Sequence, residues 1–331
     1  KHSFHSARGF LELSNTMSVN GRTMFFCNLC SSCFSRVLLS QFGSAMKFRS
    51  YSGQPGRSNY DKTSKYKDRK HHRAPRPKDE VIFGIFPIIL AIKSAKRTFH
   101  QLFVKDTFQW TLRNDIKALI GLAEEWDISV KYLHHEHLAA LSEGRPHQGV
   151  CADVTPLPLL PVTSSEEIKR DHPSLHLFLD SVKDPMNFGA VLRSSYYFGV
   201  DKVIIPETDS CGLTPVVSKA SAGAMEVLDV YGVDDGALYI KGKKQAGWKV
   251  LGTAGVPERP PKDLHHFALD TDTLLLLGNE GAGLSPHLVD LCDDFVTIKS
   301  RNPLHPDFDS LNVSVATGIL LHHFLGKKEP W

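Results

Sequence analysis

The sequence predicts an α/β protein whose mostly parallel sheet is covered by helices on both faces. Three observations carry this. Between residues 175 and 325, short apolar runs alternate with stretches of helical periodicity. The run Thr273–Leu277 is apolar without alternation, as a strand buried on both faces requires. The loop after it, Gly278-Asn-Glu-Gly-Ala-Gly283, sets three glycines around one carboxylate, Glu280, before Ser285 and Pro286, which read as the N-cap and first residue of a helix. A buried strand that opens into a Gly-rich loop at its carboxyl end is where open α/β sheets hold ligands. A tight βα turn without a ligand fits the same residues equally well. The spacing of Gly278, Gly281 and Gly283 is not the dinucleotide fingerprint, so no nicotinamide cofactor is implied.

The chain of 331 residues has room for two domains plus tails, and its 41% hydrophobic and 23% charged content is that of a soluble protein. No apolar run approaches the ~18 residues of a membrane helix, so no membrane is expected. Net charge is only +3, but the first 80 residues carry most of the basic excess. Residues 1–50 are rich in serine, carry Arg8, Arg22, Arg36, Lys47 and Arg49, and hold a single acid, Glu12. That is the signature of an organelle transit peptide, although a tail that addresses nothing has the same look. Cys27, Cys30 and Cys33 are spaced like metal ligands. A tetrahedral site needs a fourth ligand, and none sits at suitable spacing in the segment, so no metal is expected. Residues 51–80 form a basic stretch, Lys62 to Lys78, that cannot bury enough apolar surface to order itself and suits phosphate contact.

A first compact unit is expected over residues 81–154. Pro87 fits the first turn of a helix with Ile88, Ile89, Ile92, Ala95 and Phe99 at helical spacing. Leu102–Val104 is a short strand, Asp115–Glu125 a second helix, and Ile128–Leu133 an alternating strand. A helix around Glu136–Leu141 and a strand at Gly149–Val154 complete an αβαβαβ unit. His134, His135 and His137 lack the zinc-protease spacing and read as surface histidines. Residues 155–174, with four prolines, read as a linker.

The second unit spans residues 175–326. Leu175–Leu179 is a strand that stops at Asp180, Asp184–Gly189 a turn, and Ala190–Phe198 a helix. Lys202–Ile205 is a strand. Thr214 and Pro215 begin a helix that Ser221–Ala224 closes, and Val227–Tyr231 is a strand. Residues 234–246 are helix-like, Trp248–Thr253 a strand, Asp294–Lys299 another, and Val313–Leu325 a final apolar helix.

Three clusters in this unit combine polar groups able to bind and orient a substrate: Asn187 with Arg193, Gly278 with Glu280, and Ser310 with Asn312. Singly, each has a plain structural role available, as turn residue, solvated helix residue or cap. Together, Asp184-Pro-Met-Asn-Phe-Gly-Ala-Val-Leu-Arg193, Leu277-Gly-Asn-Glu-Gly-Ala-Gly-Leu-Ser285 and Ser310-Leu-Asn-Val-Ser-Val-Ala-Thr-Gly318 resemble, in order and spacing, the three motifs of the SpoU family of RNA 2′-O-ribose methyltransferases.

The resemblance covers residues 175–325 and, less specifically, extends to 81–154 as the family's small substrate-binding domain, ribosomal protein L30-like. It implies S-adenosylmethionine as methyl donor, a trefoil knot in the C-terminal segment, and a homodimer. Arg193, Asn187, Glu280, Ser310 and Asn312 match the family's polar site residues. Gly278, Ile298 and Leu311 match cofactor-holding positions, joined by Thr253, Asn279 and Gly281. The transit-like N-terminus and the segment Cys211–Asp229 resemble the family's mitochondrial ribosomal-RNA branch, implying a guanosine of large-subunit ribosomal RNA as substrate and the mitochondrial matrix as location. Rival expectations are a non-catalytic ribosome-assembly factor of the same fold, a SpoU enzyme acting on transfer RNA, and, last, a nucleotide-dependent α/β enzyme, against which the missing G-x4-GK[ST] phosphate loop speaks.

Overall fold

The computed structural model describes residues 16–19, 22–25, 75–107, 111–162, 172–253, 259–279, 281–302 and 310–326. The N-terminal unit contributes one antiparallel hairpin, β1 (Thr16–Val19) with β2 (Arg22–Phe25). The rest of the expected transit segment, its three cysteines and the basic stretch up to Ala74 lie outside the described residues.

From Pro75 onward the chain forms a small lobe and a large lobe. The small lobe opens with a strand the sequence pattern does not announce, β3 (Glu80–Phe83). It is followed by α1 (Ile85–Ser94), β4 (Phe99–Lys105), α2 (Asn114–Glu125), β5 (Val130–Leu133), α3 (His135–Leu141) and β6 (Val150–Val154). The sheet order is β3-β6-β4-β5, with only β4 and β5 parallel. The predicted αβαβαβ unit therefore gains a leading strand. Phe99 moves from the helix to the start of β4, because Ala95 turns left-handed at φ 53° and ends α1 there. The helical spacing of Phe99 with Ile92 and Ala95 is coincidental. Ile88, Ile92, Leu119 and Leu102 fill the core under α1 and α2, and Phe103, Leu138 and Cys151 fill that under α3.

The large lobe is built on eight parallel strands: β7 (Leu160–Pro161), β8 (Leu175–Leu179), β9 (Lys202–Pro206), β10 (Val230–Val233), β11 (Lys249–Thr253), β12 (Lys262–Asp263), β13 (Thr273–Leu277) and β14 (Asp294–Thr297). Their order is β12-β14-β11-β13-β8-β9-β10-β7. The expected linker thus lends the sheet an edge strand at Leu160–Pro161, against Tyr231 and Gly232.

Strand alternation sorts the apolar runs onto two faces. Leu177, Leu251, Leu275 and Leu277 point toward α4 (Pro185–Phe198), α5 (Pro215–Ala220), α6 (Ala224–Val227) and α9 (Val313–Leu325). Phe178, Val250, Leu274 and Leu276 point toward α7 (Gly236–Gln245) and α8 (Pro286–Val289). Each such fully buried side chain contributes about 1.5–3 kcal/mol by leaving water, so a run as apolar as Thr273–Leu277 belongs in the middle of the sheet.

Two boundaries differ from expectation for local reasons. Asp184–Gly189 is not a separate turn: Pro185 is the first residue of α4, and the Asp184 carboxylate accepts from the N–H groups of Met186 (3.2 Å) and Asn187 (3.1 Å). The strand expected at Val227–Tyr231 begins at Val230, because Gly223, at φ 88°, starts the helical turn α6.

Candidate functional site

The chain runs outward from β8 through β9 and β10, then returns to the other side of β8 to place β13, β11 and β14. The β8/β13 pair is therefore the point where strand order reverses, and ligands in open α/β sheets bind beyond the carboxyl ends of strands at that point. Of the three predicted clusters, Asn187 meets Asn312, and the loop of Gly278 is fastened to Ser181 just beyond β8.

The loop after β13 is tied shut by its own backbone. Asn279 and Gly283 exchange N–H···O bonds of 2.9 and 3.0 Å. The Asn279 side chain accepts from the N–H groups of Gly281 (2.9 Å) and Ala282 (3.1 Å) and donates to the Ser181 carbonyl (2.8 Å). This side chain builds the loop; what it leaves for a ligand is backbone. Gly278 is there because nothing larger fits: a Cβ would stand 2.4 Å from the Gly283 carbonyl carbon. Gly283 turns at φ 69°.

One residue that motif reasoning missed fastens the loop to the neighbouring strand. Asp180, 4% exposed, accepts from the Ser285 N–H (2.6 Å), the Ser285 hydroxyl (3.1 Å) and the Ser181 hydroxyl (3.2 Å). Its signal in the sequence is an acid at the abrupt end of an apolar strand, where a carboxylate is retained only with donors to meet it. Ser285 precedes α8 as expected, but its hydroxyl serves Asp180 rather than the helix.

The second convergence joins the two polar motifs. Asn312 caps α9, its Oδ1 accepting from the Ser314 N–H (3.0 Å) and hydroxyl (2.6 Å), while its Nδ2 donates to Asn187 Oδ1 (3.0 Å) in the first turn of α4. Cap and site contact are the same side chain. Arg193 is exposed on α4, six residues and so about 9 Å along the axis from Asn187. Ser310 and Leu311 are exposed just before α9, Leu311 at 43%. Thr253, at the end of β11, donates to the Leu276 carbonyl (3.0 Å), and Ile298 follows β14, half-buried against the core. Glu280 lies outside the described residues.

The small lobe holds a separate cavity of about 570 Å³ bordered by Lys105, Arg113, His135, Arg145, His147 and Gln148. Burial pushes the His147 pKa down, and His135, Lys105 and Lys219 push it further the same way. Arg113 and Arg145 are each paired with a near neighbour, Asp115 and Glu143. The lining as a whole is cationic and donor-rich. His134 and His135 are exposed, as expected of surface histidines, whereas His137 is half-buried. Among the described residues no helix is long and apolar enough to cross a membrane, and no group of three or more His, Cys, Asp or Glu could hold a metal ion.

Comparison with known proteins fits this geometry. Residues 174–322 match the model of the SpoU rRNA methylase family, and residues 81–160 match that of the RNA 2′-O ribose methyltransferase substrate-binding domain. The chain is 42% identical over 265 residues to rRNA methyltransferase 1, mitochondrial, of Homo sapiens, covering 77% of this chain and 75% of that one. It is 34% identical to the 23S rRNA (guanosine-2′-O-)-methyltransferase RlmB of Pseudomonas syringae, covering 75% and 96%. The fold is shared with the SpoU methyltransferase AviRb of Streptomyces viridochromogenes, whose crystal structure holds the cofactor AdoMet, at a TM-score of 0.58 and 22% identity over 73% and 88% of the two chains. With both lobes matched, and a relative this similar along three quarters of its length, the chain belongs to the SpoU family of RNA 2′-O-ribose methyltransferases.

Proposed function

We propose that this chain transfers a methyl group from S-adenosylmethionine to the ribose 2′-hydroxyl of a guanosine in mitochondrial large-subunit ribosomal RNA. The observation that carries this reading is the Asn312–Asn187 contact beside the tied Gly278–Gly283 loop, at the carboxyl edge of the reversed strands. The names of the relatives support the substrate.

The loop suits the cofactor. Gly278 keeps side chains away from backbone groups that can read an adenine edge, and the apolar Ile298 and Leu311 can flank a ring. Once bound, the cofactor supplies an electrophilic methyl group on a sulfonium. The residues of the chain must align the ribose and stabilise the charge that develops as its hydroxyl loses a proton. A guanidinium keeps its charge at neutral pH. Arg193 therefore serves as a donor that stabilises the developing alkoxide and grips a neighbouring phosphate, not as the base. Asn187, Asn312 and Ser310 position the ribose, and Glu280 orients Arg193 or Asn187. Gly278, Asn279, Gly281, Thr253, Ile298 and Leu311 hold the cofactor.

The wider organisation follows the family. Residues 1–50 address the chain to the mitochondrial matrix, 51–80 form a basic linker, 81–154 an L30-like RNA-binding domain, 155–174 a linker, and 175–326 the methyltransferase domain with its trefoil knot. A homodimer is supported by apolar side chains exposed on adjoining helices, Met186 and Tyr197 on α4 and Val315 and Ile319 on α9.

The test is transfer of a labelled methyl group from S-adenosylmethionine to mitochondrial ribosomal RNA, followed by alkaline hydrolysis. A labelled dinucleotide that resists cleavage, absent with Arg193→Ala, is expected, since a 2′-O-methyl group blocks attack on the adjacent phosphate. Absence of transfer to any RNA, with RNA and cofactor still bound, would instead support an assembly factor, and transfer only to tRNA would move the substrate.

A further inference from the structure

The junction between the two lobes is built around a buried cation. Arg97, in the turn between α1 and β4, has a side chain with no solvent exposure. Its Nε and Nη2 donate to the two carboxylate oxygens of Glu226 on α6, at 2.6 and 3.2 Å. Its Nη1 donates to Glu80, the first residue of β3, and to the Thr155 carbonyl (2.7 Å) at the start of the connection between the lobes. Glu226, also fully buried, accepts a further bond from the Ser218 hydroxyl of α5 (2.5 Å).

Around this ion pair the backbones touch. A Cβ on Gly223, before α6, would stand 3.0 Å from Pro87 Cα and 3.1 Å from the Phe86 carbonyl oxygen on α1. At the rim, Lys96 donates to the Val227 carbonyl (3.1 Å) and pairs with Asp229. Further along, Lys219 of α5 donates to Gln148 (2.7 Å), which borders the cationic cavity. The opposite side of α5 lies against the site helix so closely that a Cβ on Gly189 of α4 would meet Ala220 Cβ at 2.5 Å and the Val217 carbonyl oxygen at 3.0 Å. One short helix therefore separates the small lobe from the helix that carries Asn187 and Arg193.

A desolvated ion pair is a costly way to join two surfaces, since an apolar contact of the same shape would hold them as well. What a forked guanidinium adds is directional geometry: two bonds to one carboxylate fix both angle and distance. We propose that Arg97 is a positioning residue, which by binding Glu226 and Glu80 together fixes the small lobe against the α5–α4 layer and sets the distance at which RNA held by that lobe meets Asn187 and Arg193. The proposal rests on the reading of the chain as an RNA methyltransferase. Its consequence is selection by span: a long RNA is accepted when its gripped segment and its reactive ribose are separated by that fixed distance.

Two measurements on the full chain test it. The first compares a long structured ribosomal RNA transcript with a short fragment carrying only the methylated loop. Arg97→Lys and Glu226→Gln are expected to raise KM for the long transcript about tenfold, with KM for the short fragment and S-adenosylmethionine affinity unchanged. Equal effects on both RNAs, or none, would overturn the proposal. The second needs no activity. Spin labels on bio-orthogonal residues replacing the exposed Tyr132 and Leu238 are expected to give one narrow distance distribution, which broadens with Arg97→Lys. A broad distribution in the parent chain, or an unchanged one in the variant, would also overturn it. If the Arg97 variants fail to fold, Gly223→Ala, which pries the same junction apart from the backbone side, takes their place with the same expected outcomes. A chain that methylates no RNA but keeps the narrow distribution would refute the methyltransferase reading and leave the fixed junction standing.

Discussion

Asn312 Nδ2 donates to Asn187 Oδ1 at 3.0 Å, joining residues 125 positions apart at the start of two packed helices. The two amides have different secondary duties. Asn312 also caps α9, whereas the first turn of α4 is capped by the Asp184 carboxylate.

That difference separates stability from catalysis. Asn312→Ala removes a cap and should cost about 1 kcal/mol in urea unfolding, along with activity. Asn187→Ala should unfold within about 0.5 kcal/mol of the parent yet transfer methyl groups about a hundredfold more slowly, through misplacement of the ribose. Equal stability losses would mean the contact is only structural.

Asp180 is expected to govern the cofactor loop without touching the cofactor. Asp180→Ala leaves the Ser285 N–H and hydroxyl without their acceptor and should cost about 1–3 kcal/mol in unfolding free energy, with weaker S-adenosylmethionine binding by calorimetry. Asp180→Asn, which can still accept one bond, should fall between. Unchanged cofactor affinity in Asp180→Ala would show that the loop holds its shape unaided.

The glycines of the second and third motifs should respond unequally. Gly278→Ala forces backbone apart and should cost about 1–3 kcal/mol and most of the cofactor affinity. Among the described residues a Cβ on Gly281 meets only Asn279 Oδ1, at an ordinary 3.7 Å, so Gly281→Ala should be tolerated. Gly318, inside α9 with open space around it, should gain up to about 1 kcal/mol as alanine. Thermal melts with and without S-adenosylmethionine check all three.

The lobe junction has a pH signature. Burial pushes the Glu80 pKa above its ordinary 4.5, against the opposing pull of Arg97 and with help from Glu226 and Asp79. The folded protein therefore binds this proton more tightly than the unfolded chain. Its stabilising contribution is complete below pH 4.5 and is lost as pH rises through the raised value. Relative to Glu80→Gln, which keeps an acceptor for Arg97 without the charge, the parent should become progressively less stable as pH is raised from 4.5. Denaturant titrations of the two chains across that range check it, and a difference that grows in the opposite sense would show that Arg97 outweighs burial.

Much of the large lobe is legible because parallel strands buried on two faces are close to continuously apolar, as Thr273–Leu277 is and as Leu175–Leu179 is apart from His176. A cap is legible where its chemistry is local, as at Thr214–Pro215, while at Ser285–Pro286 the helix start is legible but the serine hydroxyl is taken by Asp180. The pattern failed where tertiary packing decides. Glu80–Phe83 is too short to show a period and becomes a strand by pairing with Val150–Val154. Phe99 falls on a helical spacing that Ala95 has already ended. At the site, residues whose chemistry shows in their type, such as Asn187 and Asn312, could be singled out. Asp180, Arg97 and Glu226 could not, because their importance lies in partners about 100 residues or more away.

The place of β13 also fixes an order of assembly. It lies between β8 and β11 but is made after both, so until residues 273–277 emerge those two strands have no common neighbour and each offers an open edge. Even the finished sheet does not complete the site, because α9 must still dock on α4 to carry Asn312 to Asn187. Such late, long-range closure slows folding. In order of synthesis every strand precedes α9, so a product truncated before residue 313 would contain all the strands of the sheet while lacking the helix that seats Asn312.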